Sequence, residues 1–168
     1  DRMLIAQKLR VTRDELLSIA NQRDGAGGYV FGGQGSARAP FDETGAAVWQ
    51  PNAGEQATGL GASFTTSQDG RAVFVDLNVA GARQSIFETL DSAVALLEDP
   101  GATGGALATG LGTAVNGVDA ALERLLLVRT RAGEQLRAIE SRERLIEAGE
   151  IESSGRLANV RGAKGQAT

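Results

Sequence analysis

The sequence predicts an α+β protein, a rod of long antiparallel helices carrying a small β-rich insertion domain. Three observations lead there. Apolar residues recur at spacings of three and four near the start of the chain and again over a long stretch near its end. Between these stretches helical period is lost and glycine, serine and threonine accumulate. A short apolar segment with its own start and stop signals stands just before the long helix. The expected domains are a helical rod domain at 1–24 and 84–150, a β-rich insertion domain at 25–83, and a flexible or truncated tail at 151–168.

The first helix is expected over about residues 2 to 24, a length of ~33 Å at 1.5 Å per residue. Ile5, Leu9, Leu16, Ile19 and Ala20 form its apolar stripe, with Thr12 filling the gap. This is the seam of a helix packed lengthwise on another. Arg2, Lys8, Arg10, Arg13, Asp14 and Glu15 lie mostly off the stripe and read as its polar outer face. Asn21, Asp24 and Gly25 supply stop and turn chemistry, because Asn and Gly tolerate the left-handed backbone that ends many helices. Tyr29, Val30 and Phe31 follow as a short β-favouring run.

Further short strands are expected at Ala46 to Gln50, Gln56 to Leu60, Ala62 to Thr66 and Arg71 to Leu77, with Gln68-Asp69-Gly70 as a hairpin turn. Trp49 and Phe64 are the natural anchors of a small β core, and a ligand-stacking role is the alternative. Ser85 to Glu88 has capping-box spacing ahead of a helix from Ile86 to Glu98, whose buried stripe is Ile86, Leu90, Val94 and Leu97. Asp99-Pro100-Gly101 ends it. The last helical pattern starts by about Leu107 and runs to about Ala148; its part from Gly112 spans ~55 Å. Val115, Val118, Leu122, Leu125, Ala132, Leu136, Ile139 and Ile146 form its seam, with Arg129 and Glu143 at the remaining seam positions. This helix is expected to pack along the first, so Leu122→Asp should unfold the protein. The seam charges are expected to meet a segment outside this chain, the alternative being that they face solvent where the partner helix has ended. Beyond Gly149 the pattern decays.

Composition narrows the chemistry. Only 4% of residues are aromatic, so the core is expected to consist mainly of Ala, Val, Leu and Ile. There is no Cys and no His, which removes disulfides, thiolate nucleophiles, imidazole bases and the usual zinc sites. Fifteen Arg and two Lys are scattered among the acids, and the net charge of -4 leaves no footprint for nucleic acid or an anionic membrane. No apolar stretch approaches the ~20 residues of a membrane span. Gly32, Gly33 and Gly35 are not a phosphate loop, since no Lys-Ser/Thr follows. The carboxylates Asp14, Glu15, Glu140, Glu143 and Glu147 are interleaved with Arg10, Arg13, Arg137, Arg142 and Arg144, which reads as surface pairing. Ser18 and Thr130 have no base at a suggestive spacing. No catalytic, cofactor-binding or metal-ligating residue is expected, and no enzyme activity.

Four motifs resemble one family. They are Arg13 to Leu17 with Ala20-Asn21, Asp24-Gly25 and Tyr29 to Gly33; Pro40-Phe41; Ile86 to Asp91; and Val128 to Gly133. In this order they resemble the flagellar hook-associated protein of the hook-filament junction, the FlgL type within the flagellin superfamily, over roughly residues 2 to 148. The resemblance implies a flagellin-like helical domain and a structural role joining the hook-associated region to the flagellin filament. It also implies contacts with the hook-associated protein of the first type and with flagellin, and self-contacts in a ring through terminal segments outside this chain. An export chaperone is a further conceivable partner. The expected location is extracellular, reached through the flagellar export apparatus, which removes no signal peptide. With no initiating Met, the chain reads as a core fragment lacking its polymerising termini, and is expected to be monomeric. Residues 156 to 168 depart from the family pattern. Two alternatives are a flagellin filament subunit and a carbohydrate-binding or adhesive module on a helical stalk, which an exposed Trp49 or Tyr29 would favour.

Overall fold

The computed structural model describes residues 2–25, 27–33, 38–48, 56–58, 62–64, 67–79 and 81–165. Among the described residues it is mostly helical, with two small antiparallel sheets of two strands each. In order the elements are α1 (Arg2–Ala20), β1 (Gln56–Thr58), β2 (Ala62–Phe64), α2 (Gly70–Phe74), β3 (Leu77–Val79), β4 (Ala82–Gln84), α3 (Ile86–Glu98) and α4 (Gly104–Gly165). The chain divides into two units, Asp1–Val128 and Arg129–Thr168.

In the first unit α1 lies antiparallel to α3. Arg2 donates from Nη2 to the carbonyls of Leu96 and Asp99, at 3.0 and 2.9 Å, and so caps the C-terminal end of α3, which has no basic residue in its own last turn. Ala6 packs with Val94 and Leu97, and Ala20 joins the cluster that holds Ile86, Phe87 and Leu90. The lengthwise partner of α1 is therefore α3 rather than the last helix.

The faces also differ in part from expectation. On α1 the buried residues are Ala6, Arg13 and Ala20, one heptad apart; of the expected stripe Ala20 is buried and Leu9 and Leu16 pack against the core, while Ile5 and Ile19 are exposed. On α4 the buried residues within the first unit are Gly117 and Ala121, flanked by half-buried Gly110 and Ala114. A Cβ at Gly117 would lie 2.7 Å from Thr89 Cγ2, and one at Gly110 would overlap Leu96. Thr89 and Leu96 are one heptad apart on α3, as Gly110 and Gly117 are on α4. Of the large aliphatic seam read from the sequence, Leu125 packs against the core, whereas Val115, Val118 and Leu122 stay exposed. Leu122 is 54% exposed while Ala121 is 7% exposed.

The core is built mainly from Ala, Val, Leu and Ile, as expected, around a central group of aromatic rings. Phe74 contacts Phe31 edge-on at 4.9 Å and Phe41 at 5.7 Å, and Phe87 lies 5.6 Å from Phe41. Edge-to-face contact sets the positive ring edge against the negative face of its neighbour, adding to the burial itself. Leu77, Val73, Val79 and Leu90 complete the cluster.

The expected strand at 71–77 is instead α2, because Asp69 acts as an N-cap rather than a hairpin residue. Its carboxylate accepts from the amides of Arg71 and Ala72, at 3.0 and 3.4 Å. The ladder that follows pairs Leu77 with Gln84 and Val79 with Ala82, a hairpin that the sequence reading missed. β1 and β2 fall inside expected strands and pair Gln56 with Phe64. Tyr29 and Gly32 make only isolated bridges, to Arg23 and Asp69, and Ala47 one to Phe41. Trp49 and the Phe64 side chain lie outside the described residues.

α1 ends at Ala20, four residues short of expectation, and α3 has the expected bounds. Ser85 caps α3 by accepting from Phe87 N at 3.2 Å, one residue earlier than the capping-box partner. In the second unit α4 continues to Gly165, past the expected end at 148 and through Ser153-Ser154-Gly155. No helix among the described residues is long and apolar enough to cross a membrane.

Candidate functional site

The surface is distinguished by large aliphatic side chains in water at helical spacing. In the first unit Ile5 and Ile19 of α1 are about half exposed, with Leu9 and Leu16 half-buried along the same stripe. Val115, Val118 and Leu122 of α4 are exposed likewise. In the second unit Leu136, Ile146, Leu157 and Val160 are exposed and Ile139 is half-buried. The heptad that starts at Val115 continues in step to Leu157 and Val160, further than the sequence reading followed it. Isolated exposed aliphatics are ordinary, whereas rows at a/d spacing are what a partner helix covers. Each such Leu or Ile would contribute roughly 1–2 kcal/mol on completing its burial, at about 25 cal/mol per Å².

The seam charges Arg129 and Glu143 are exposed, as are Glu140, Glu147, Arg137 and Arg144. Arg144 donates from Nε to the Glu140 carbonyl at 3.2 Å, a local helical contact. Glu15, Ser18 and Thr130 are exposed as well.

Arg13 is the most buried of the charges assigned to an outer face, and Arg2 is half-buried against the end of α3. Arg13 is 9% exposed, and its Nε donates to Asp91 Oδ1 at 3.2 Å and its Nη1 to the Glu43 carbonyl at 2.9 Å. Its guanidinium carbon stands 5.7 Å from the centre of the Phe87 ring. Asp14 joins at 3.4 Å, and Arg10 pairs with Glu98. The central position of the Ala6–Arg13–Ala20 heptad faces α3, so the long side chain buries its stem while its planar head forks between a carboxylate and a carbonyl. These groups line a depression of about 530 Å³ with Thr44, Val94 and Ala95. Its Arg13 and Arg10 cations are each neutralised by a carboxylate, an arrangement that ties segments together.

Asp42 is held below its usual value near 3.8, chiefly by the Thr44 hydroxyl, 2.6 Å away, and also by the amides of Ala46 and Thr44. It closes a turn. Tyr29 is buried, with the Arg23 guanidinium 5.1 Å over its ring, so it offers no free face to a saccharide. No group of acidic residues among those described is placed to hold a metal ion.

No family model matches the chain. Flagellar hook-associated protein 3 of Escherichia coli is 30% identical over 154 residues, covering 84% of this chain and 49% of that protein. Its counterpart in Salmonella typhimurium is 27% identical over 149 residues, covering 81% and 47%. Among solved structures, flagellar hook-associated protein 3 of Legionella pneumophila superposes with a TM-score of 0.79 at 16% identity, covering 96% of this chain and 82% of that one. FlgL of Xanthomonas campestris gives 0.71 at 17% identity, covering 95% and 82%.

The fold and these relatives define a helical structural protein of the bacterial flagellum. Within that class the chain belongs to the hook-associated proteins of the FlgL type. It spans about half the length of the curated relatives it matches.

Proposed function

We propose that the protein to which this chain belongs is the flagellar subunit joining the hook-associated region to the flagellin filament, with a structural rather than a catalytic role. The observation that carries this reading is the exposed a/d row of α4, Val115, Val118 and Leu122 in the first unit and Leu136, Ile146, Leu157 and Val160 in the second. Such rows are covered in an assembly by helices of neighbouring subunits or by further segments of the longer protein, and burying them drives association. The partners are then the hook-associated protein of the first type on one side, flagellin on the other, and further copies in a ring, with an export chaperone before assembly. Residues 1–24 and 84–150 serve as a flagellin-like helical domain, and 25–83 as an insertion acting as a spacer. The location is the extracellular flagellum, reached through the flagellar export apparatus.

Deleting the gene and assaying both cell-bound filaments and shed flagellin tests the reading. Hooks without filaments, with unpolymerised flagellin in the medium, are expected. Disappearance of flagellin itself would make this the filament subunit instead. Normal filaments in a strain with a single copy of the gene would overturn the proposal.

A further inference from the structure

Residues 40–48 form a loop that folds on itself. Among the described residues its backbone–backbone hydrogen bonds are internal, from Asp42 N to the Ala46 carbonyl, Gly45 N to Asp42, and Val48 N to Pro40, each at 3.0 Å. Two side chains of the α1 region tie it down. Asn21 clamps its root, donating from Nδ2 to the Phe41 carbonyl and accepting from Phe41 N, both at 3.0 Å, while the Phe41 ring is anchored in the aromatic core. Arg13 holds its tip by the single bond to the Glu43 carbonyl. The tip lies directly on the core: Gly45 is buried with φ near 81°, and a Cβ there would overlap the Phe87 ring.

On either side of this tip is a depression along α3. One, of about 530 Å³, is lined by Arg10, Arg13, Val94 and Glu98 among others. The other, of about 450 Å³, is lined by Arg71, Val75, Ser85 and Glu88 among others. Both share Thr44 and Asp91, so the tip is the ridge that divides them. We propose that residues 43–46 are a strap latched by Arg13 and rooted at Asn21 and at Ala47, which packs on the core, and that release of the latch lifts the tip from Phe87 and joins the two depressions into one groove along α3. The root stays in place because Phe41 is buried, whereas the tip is exposed at Glu43, Thr44 and Ala46 and retains its own turn when it moves.

The turn keeps its hydrogen bonds in the lifted strap, so the informative readout is the environment of the tip rather than amide protection. Nitrogen-15 relaxation dispersion on the full chain compares the unaltered protein with Arg13→Lys, which keeps the charge beside Asp91 and loses the fork that reaches Glu43. Exchange confined to residues 43–46 is expected, with the lifted population raised at least about tenfold in the variant, as loss of one charge-assisted hydrogen bond implies. The Gly45 shift should move away from its ring-current position while Ala93 to Leu97 of α3 stay unchanged. A static tip in both proteins would overturn the strap. So would equal exchange at the tip and at α3 in the unaltered protein, which needs no variant to fold.

Discussion

Adjacent residues of α4 give the sharpest test of which face docks. Ala121 is 7% exposed and belongs to the cluster around Phe41, Phe74 and Phe87, whereas Leu122 is 54% exposed. Placing a carboxylate at 121 leaves a charge in an apolar environment, a change that typically costs about 3–5 kcal/mol. Half-buried Arg124, one turn further on, offsets part of that, so Ala121→Asp is expected to lose about 3 kcal/mol. That is a large share of the 5–15 kcal/mol of an ordinary domain. Leu122→Asp loses little burial and mainly helix propensity, so less than about 1 kcal/mol is expected. Urea and thermal melts followed by circular dichroism should show Tm falling by roughly 10 °C or more for the first variant and by less than about 4 °C for the second. Equal losses, or the reverse order, would mean that α4 presents its large aliphatic seam to α3 and that the packing described above is wrong by about one residue of helical rotation.

Two other perturbations follow from particular contacts. Gly117→Val forces a side chain against Thr89 and should destabilise by about 1–3 kcal/mol; Thr89→Ala in the same chain should recover much of it, as measured by a double-mutant cycle in urea. For Asp42 the folded pKa is lowered, so its contribution to stability is fully present above the unfolded value and is lost as pH falls through the folded value. Unfolding followed from pH 6 down to pH 2 should therefore lose part of its acid dependence in Thr44→Val, which removes the hydroxyl that lowers the pKa most. An unchanged acid limb would assign the loss to other carboxylates.

Local chemistry was legible wherever neighbours in sequence decide the outcome. Ser85 before an apolar run and Asp99-Pro100-Gly101 after it bracketed α3 at Ile86 and Glu98, and the β-favouring stretches contained β1 and β2. The family was legible too, because its motifs combine turn residues with core phenylalanines in a fixed order. Asp69 was ambiguous, since Asp-Gly begins both hairpins and helices, and contacts around Phe74 selected the helix.

The sequence by itself determined that α1, α3 and α4 form, where α3 starts and stops, and that large aliphatic rows run along α1 and α4. Tertiary structure decided which face of α1 and α4 is the inside, whereas on α3 the stripe expected from the sequence is the buried one. Periodicity gives most weight to Leu, Ile and Val, but close helix approach selects Ala6, Ala20, Gly110, Gly117 and Ala121, whose small size carries little hydrophobic signal. It also decided that Arg13 is buried, because its carboxylate and carbonyl partners lie 78 and 30 residues away and meet only when α1, α3 and the loop at Glu43 come together.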